Sequence, residues 1–202
     1  NILGRWSEKG SNNNAGNIMA VDYDVETDEV YAVGGGGPIF KSDIYGSDWK
    51  LVNDKLRFST DLLKVFNLQN GTKRLVSAVN GIPHYSDDGG KEWIKSTGVT
   101  QTNDGHIYHS QSTKDGIIFF LGKRDYWSDI KVYASYDFGI SFSALKTFTT
   151  SDTRNIALTL DGVSDNIYII EQINSTNSQI YKYNKSAKAI DLQSTNSNIG
   201  FG

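Results

Sequence analysis

Apolar residues along this chain fall into short runs that alternate with polar positions, and Asp, Asn, Gly, Ser and Thr crowd the intervals between them. Alternation with a period of two marks strands covered on one face, and the intervals carry the residues that turns demand. Near the N-terminus, NIMAVDY (17–23), EVYAVG (29–34), PIFKS (38–42) and WKLVN (49–53) read as four consecutive strands, a to d. The order returns as LLKVFNL (62–68), KRLVSAV (73–79), IPHYS (82–86) and WIKST (93–97), with Asn70-Gly71 as a hairpin turn. HIYHSQ, GIIFFLG, IKVYAS and SFSALKTF repeat it a third time, then NIALTL, NIYIIEQ, QIYKYN and AIDLQ a fourth. No segment carries an apolar stripe at helical spacing. RFSTDLLKVF (57–66) comes nearest, and it runs into a strand that the repeat requires.

The joint between strands c and d carries a second periodicity. SDDGGKEW sets Ser86, Asp88, Gly90 and Trp93 at the spacing Ser-x-Asp-x-Gly-x-x-aromatic, and SYDFGISF repeats it with Ser135, Asp137, Gly139 and Phe142. In SDIYGSDW, Ser42, Gly46 and Trp49 keep their places, but Ile44 holds the Asp position and Asp43 lies one residue early. YNKSAKAI (183–190) retains mainly the spacing. Four units of four antiparallel strands, at a period of roughly 44 to 49 residues, predict an all-β chain folded as a β-propeller. The expected blades cover 15–54, 61–98, 104–149 and 153–194 of a single domain. RWSEKG (5–10) resembles the outer strand of a preceding or ring-closing blade, and NSNIGFG (196–202) the start of a further inner strand. The chain is therefore expected to be a slice of a larger propeller within a longer parent protein. A compact ring of four blades is the alternative.

The motif resembles the Asp-box, or BNR repeat, of the sialidase, sortilin and xyloglucanase-like propellers, and the likeness runs through almost the whole chain. It implies a structural role for the box residues. Asp and Ser would bond backbone N–H groups of the hairpin, Gly would supply a backbone shape that other residues resist, and the aromatic would pack between neighbouring elements. Boxes of that family lie opposite the usual active-site face. Residues 10–54 also resemble blades of exported proteins from Bacteroidetes-type bacteria, many of which use type IX secretion. That likeness implies a secreted or cell-surface protein whose signal peptide has been removed. The sialidase pattern of three substrate-binding arginines after an Arg-Ile-Pro motif is not met: the arginines are Arg5, Arg57, Arg74, Arg124 and Arg154, and Arg-Ile-Pro is absent. Where xyloglucan-cleaving relatives carry an Asp in the first b-to-c loop, this chain reads GGGGP (34–38).

Charge and composition narrow the partners. The net charge of -3 comes with no basic stripe, which argues against nucleic acid. No apolar run reaches the roughly 20 residues that a helix needs to cross a bilayer. Without cysteine there are no disulfides, thiol nucleophiles or thiolate zinc sites, and no cofactor is expected.

In a propeller the b-to-c and d-to-a loops share the face where ligands bind, over the central channel. GKRDYWSD (122–129) is the richest of these loops. Its Arg124, Asp125, Tyr126 and Trp127 set a charged pair beside two aromatics, suited to stacking on a sugar ring or anchoring a protein. The competing expectation has Trp127 plugged between blades. GGGG joins two strands rather than opening a helix, so it reads as a wide, flexible loop and not a phosphate cradle. His106 and His109, three apart on an inner strand, point to opposite faces and cannot share an ion without a bulge, and His84 stands alone in its unit. Asp22, Asp24, Glu26 and Asp28 alternate through a turn but lack the glycine and distal Glu of a calcium loop, and no metal site is assigned. The preferred function is a non-catalytic binding or surface-display module that recognises a glycan or protein. The alternative is part of a propeller glycoside hydrolase or lyase, with Asp125 and Glu171 as the carboxyl pair, a role that calls for a separation of about 5–10 Å.

Overall fold

The computed structural model describes residues 17–58, 60–99, 105–125, 127–150 and 152–197. The strands expected from the alternation all form, in four antiparallel sheets laid out in chain order. Blade 1 holds β1 (Ile18–Asp24), β2 (Glu29–Gly34), β3 (Ile39–Asp43) and β4 (Lys50–Asn53), and blade 2 holds β5 (Leu63–Asn67), β6 (Lys73–Val79), β7 (Ile82–Ser86) and β8 (Ile94–Lys95). Blade 3 comprises β9 (His106–Ser112), β10 (Ile118–Lys123), β11 (Ile130–Ser135) and β12 (Ser143–Phe148). Blade 4 comprises β13 (Ile156–Asp161), β14 (Asn166–Gln172), β15 (Asn177–Asn184) and β16 (Ala189–Ser197). Four-stranded meanders packed face against face are propeller blades. Among the described residues the one helical segment is a 3-10 turn, Thr153–Asn155, capped by Asp152.

Three hydrophobic clusters join the blades, and each spans two neighbours. Tyr31, Val33 and Ile39 of blade 1 meet Phe58, Leu63 and Leu75. Leu62, Val76 and Ala78 meet Ile107, Ile118, Phe120 and Phe142 of blade 3. Phe119, Leu121, Ile130 and Val132 meet Ile156, Leu158, Ile167 and Ile169 of blade 4. The pleat sends successive side chains to opposite faces. Ile118 and Phe120 therefore pack toward blade 2 while Phe119 and Leu121 pack toward blade 4, and all four are fully buried. A strand covered on both faces reads as an unbroken apolar run, as IIFFL does.

First strands of consecutive blades also meet directly: the Val65 N–H donates to Asp22 Oδ2 at 2.7 Å, and the Asn67 amide to Asp24 Oδ1 at 2.6 Å. No cluster of described residues joins blade 4 to blade 1, and Val21 and Leu51 on the remaining face of blade 1 are 56% and 53% exposed.

The box motif does more than staple a hairpin. Ser86 Oγ donates to Asp88 Oδ1 at 2.8 Å and accepts from the Gly90 N–H at 2.9 Å. Asp88 also takes the N–H groups of Lys91 and Glu92 at 3.0 Å each. These bonds, that from Glu92 foremost, hold its carboxyl below the usual carboxylate range. Gly90 sits at φ +90°, where a Cβ would lie 2.6 Å from Val52 Cγ1 of blade 1, and its carbonyl accepts from the Asn53 amide at 2.9 Å. Trp93 lays its ring 4.5 Å from that of Phe58. The Ser135 box repeats the arrangement against blade 2: Gly139 (φ +89°) packs on Val76, and its carbonyl accepts from Ser96 Oγ at 2.5 Å. Each box thus latches its blade to the preceding one. In the degraded copy Asp43 takes over, accepting from the Tyr45 and Ser47 N–H groups at 3.1 and 2.9 Å.

Two expectations need correction. Asn196 and Ser197 do not start a new inner strand: they pair with Ser178 and Asn177 as the tail of β16, and 198–202 lie outside the described residues, as does the strand expected at 5–10. The GGGG loop is not wide. Gly37 N–H bonds the Gly34 carbonyl at 2.8 Å, and at φ +101° Gly37 approaches the Arg57 backbone so closely that a Cβ would stand 2.6 Å from Arg57 Cα.

The latch predicts a difference between adjacent glycines. Gly90→Ala should cost about 2–5 kcal/mol, combining left-handed strain with overlap on Val52. Gly89→Ala, at φ +75° with open space around it, should cost about 1–2 kcal/mol from strain alone. Equal urea midpoints for the two variants would remove the close packing of the box from the account.

Candidate functional site

The upper loops are held by their neighbours. The Phe58 N–H donates to the Gly37 carbonyl at 3.0 Å, tying a d-to-a loop to a b-to-c loop, and the Ile130 N–H donates to Thr150 at 3.1 Å. Between β10 and β11 the 124–129 loop is organised by Asp125. Its carboxylate accepts from the Trp127 N–H and from Arg124 Nε, both at 3.1 Å. The Ser128 hydroxyl and then Arg124 hold Asp125 below the ordinary carboxylate range. This Asx-type turn leaves the Trp127 ring outward, 82% exposed. Tyr126 lies outside the described residues.

Beneath Trp127 is a cleft of about 410 Å³ lined by Arg124, Trp127, Ser128, Asp129, Lys131, Tyr133 and Thr147. The structure thus brings Arg124 and Trp127 together as the loop pattern suggested, and it adds residues that the pattern did not single out. Lys131 and Thr147 are cross-strand partners on β11 and β12, and two residues further along β11, Tyr133 stands on the same face as Lys131. Only knowledge of the β11–β12 register could have found them. The cleft is lined by two cations, one carboxylate, three hydroxyls and two aromatic rings, a set that can stack on a ring and bond hydroxyl or charged groups.

Glu171 is placed otherwise. It is buried on β14 with Oε2 3.0 Å from the Tyr181 hydroxyl, itself 2.5 Å from Gln179 Oε1. Burial first, and Glu171 second, push the Tyr181 phenol up to about 12. Glu171 is thus engaged within its own blade, whereas Asp125 is engaged in its loop.

His109 is the extra residue of a bulge in β9, between Tyr108 and Ser110 opposite Leu121 and Phe120, with φ +45°. The bulge that the His106 and His109 pairing would need is present, yet among the described residues no three metal-ligating side chains come together. Asp22 accepts from blade 2, and Asp24 divides its oxygens between its own turn, through Glu26 N–H and Thr27, and Asn67 and Lys73 of blade 2. One pair went unnoticed in the sequence: Lys64 and Asp22, on neighbouring inner strands, where burial pushes the ammonium down and the carboxyl up while each partly offsets the other's shift.

On the opposite face, at the a-to-b turn of blade 1, Lys73 Nζ bridges Asp24 and Glu29 at 2.6 Å each, and Lys41 reaches Glu29 at 2.6 Å. Burial raises the Glu29 carboxyl, but the two ammoniums and the Tyr31 hydroxyl outweigh it and bring it down to about 2. Asp24 is lowered further by Lys73, Thr27 and Asn67 against the same burial effect.

No protein-family model and no curated protein matches this sequence. Solved structures do match in fold. YCF48 from Cyanidioschyzon merolae is 14% identical at TM-score 0.56, over 93% of this chain and 59% of its own, and a structure of YCF48 bound to a D1 peptide is 15% identical at TM-score 0.56, over 89% and 56%. The Niastella koreensis GH74 enzyme is 16% identical at TM-score 0.58, over 87% of this chain and 30% of its own. The calcium-binding protein regucalcin from Agrobacterium tumefaciens is 6% identical at TM-score 0.61, over 89% and 58%. The chain spans well under two thirds of each of these propellers. At such identities the likeness is one of fold, and it establishes a β-propeller that is similar in architecture to binding proteins and enzymes alike.

The blade 1 to blade 2 ion cluster carries a pH dependence. Carboxyls depressed on folding stabilise above their ordinary range, and that stability is lost as pH falls through the folded value. Unfolding free energy should therefore fall between pH 4.5 and about 2, the interval over which Glu29 is shifted. Lys73→Met should flatten that segment of the profile. An unchanged profile in the variant would show that the cluster does not couple folding to acid.

Proposed function

We propose that this propeller is a non-catalytic recognition module of an exported bacterial protein, binding a glycan or protein ligand through the loop face around Arg124 and Trp127. The observation that carries the reading is the exposed Trp127 ring above the Arg124 and Lys131 cleft, on a loop whose shape Asp125 fixes. Large aromatics beside arginine are the residues that dominate binding energy at protein surfaces, and functional loops on rigid blades are where propellers place ligands. The peptide complex of YCF48 is a property of that protein, and its use of a propeller for peptide binding is of the kind proposed here. Export is part of the proposal through the Asp-box resemblance. The hydrolase or lyase alternative asks Asp125 or Glu171 to hold and deliver a proton. Asp125 is engaged by Arg124 and the Trp127 N–H in shaping its loop, and Glu171 by Tyr181 within its blade, which supports the binding reading.

A glycan array and a displayed-peptide library probed with the whole chain test this reading. Binders found with the wild type should weaken by about tenfold or more with Trp127→Ala, a loss of about 1.4 kcal/mol, and less with Arg124→Ala. Binding that is indifferent to both changes would remove this face from the account. Cleavage of a polysaccharide abolished by Asp125→Asn would favour the enzyme instead.

A further inference from the structure

The floor of the Trp127 cleft holds a polar group that the fold does not use. Tyr133 lines the cleft and is only 6% exposed, with its ring stacked on Phe120 at 5.0 Å and an interplanar angle of 21°. Among the described residues nothing hydrogen-bonds its hydroxyl. Burial pushes this phenol up, and no charge or hydrogen bond adds to that shift or offsets it. The other buried tyrosines are engaged: Tyr31 donates to Glu29 at 3.0 Å, Tyr181 lies 3.0 Å from Glu171 Oε2, and Tyr183 donates to Tyr136 at 3.2 Å. A buried tyrosine hydroxyl finds a partner as a rule, so one left over in the floor of a cleft marks the place of an incoming group.

The rest of the lining narrows what that group belongs to. Among the described residues no aliphatic side chain lines the cleft. A protein anchor is held chiefly by burying apolar atoms in a fitted pocket, and these walls offer it none. Charges of both signs are present: Arg124 is paired with Asp125 at 3.1 Å, and the exposed Lys131 stands two residues from the exposed Asp129, which also lines the cleft. A ligand of either charge would meet a like charge there. A neutral polyol meets none, since each hydroxyl can donate to the carboxylate or accept from the ammonium. The volume of about 410 Å³ lies within the span of small-molecule sites, roughly 300–1,000 Å³.

We infer, resting on the recognition face proposed above, that the ligand is a neutral saccharide and that Tyr133 is the residue that selects it. The C–H face of one sugar ring covers the exposed Trp127 ring, and a hydroxyl of the sugar bonds the Tyr133 hydroxyl beneath. Lys131 and Thr147, side by side across β11 and β12, bond neighbouring hydroxyls.

The test compares the wild type with Trp127→Ala and with Tyr133→Phe, which removes the hydroxyl and keeps the ring on Phe120. The probes are neutral oligosaccharides of glucose, galactose, mannose and xylose, uronate-bearing and sulfated counterparts, and a displayed-peptide library. Neutral saccharides should bind the wild type, lose about tenfold or more with Trp127→Ala, and lose roughly threefold to tenfold with Tyr133→Phe. The urea midpoint of Tyr133→Phe should stay at or above that of the wild type, because no bond within the fold is lost. A lower midpoint would place the hydroxyl in the fold's own bonding and overturn the inference. Equal binding of neutral saccharides by Tyr133→Phe, or a preference for the acidic probes, would do the same. Peptides bound through Trp127 with no saccharide bound would remove the saccharide and keep the recognition face, whereas binding indifferent to Trp127→Ala would remove both.

Discussion

A four-stranded antiparallel sheet has two broad faces and no means of burying either by itself, and everything else in this molecule follows from how neighbouring sheets solve that for each other. The apolar side chains of β10 go alternately forward to blade 4 and back to blade 2, and none of the four central ones keeps contact with water. The core is therefore a series of inter-blade seams with no single centre. Stability is cooperative between neighbours, as in repeat proteins, and a blade with an uncovered face is incomplete in energetic terms.

The box motif belongs to the same economy of seams. Its serine and aspartate close the hairpin, but its glycine lets the backbone touch the preceding blade, and the glycine carbonyl receives a side chain from that blade. Where the box has decayed in blade 4, other contacts hold the seam: Tyr183 meets the Tyr136 hydroxyl at 3.2 Å, Lys188 lies over the Tyr136 ring, and Lys185 pairs with Asp115. The lower face is thereby committed to holding blades together, and the blade 1 ion cluster adds to it. The 124–129 loop lies on the other face, where Asp125 shapes it around Trp127.

How much of this could be read in advance differs by residue. Strand positions were legible because alternation and turn chemistry are local, and the box spacing marked every blade. The cleft was half legible: Arg124 and Trp127 are three residues apart in one loop, but Lys131, Tyr133 and Thr147 join them through sheet register, which no local pattern encodes. The GGGG loop misled because glycine permits both looseness and close approach, and the Arg57 backbone selects the second. The β9 bulge at His109 was open for a similar reason, since an added residue in a strand leaves the alternation on either side intact.

By itself the sequence determined the all-β class, the four-stranded repeat and the spacing of the box, because each rests on residues close together in the chain. Only the tertiary structure decided which face of each strand is covered and which residues share the Trp127 cleft. Those outcomes depend on which sheets stack and in what register, and pairs such as Asn53 with Gly90 or Lys73 with Asp24 meet only after their blades have packed.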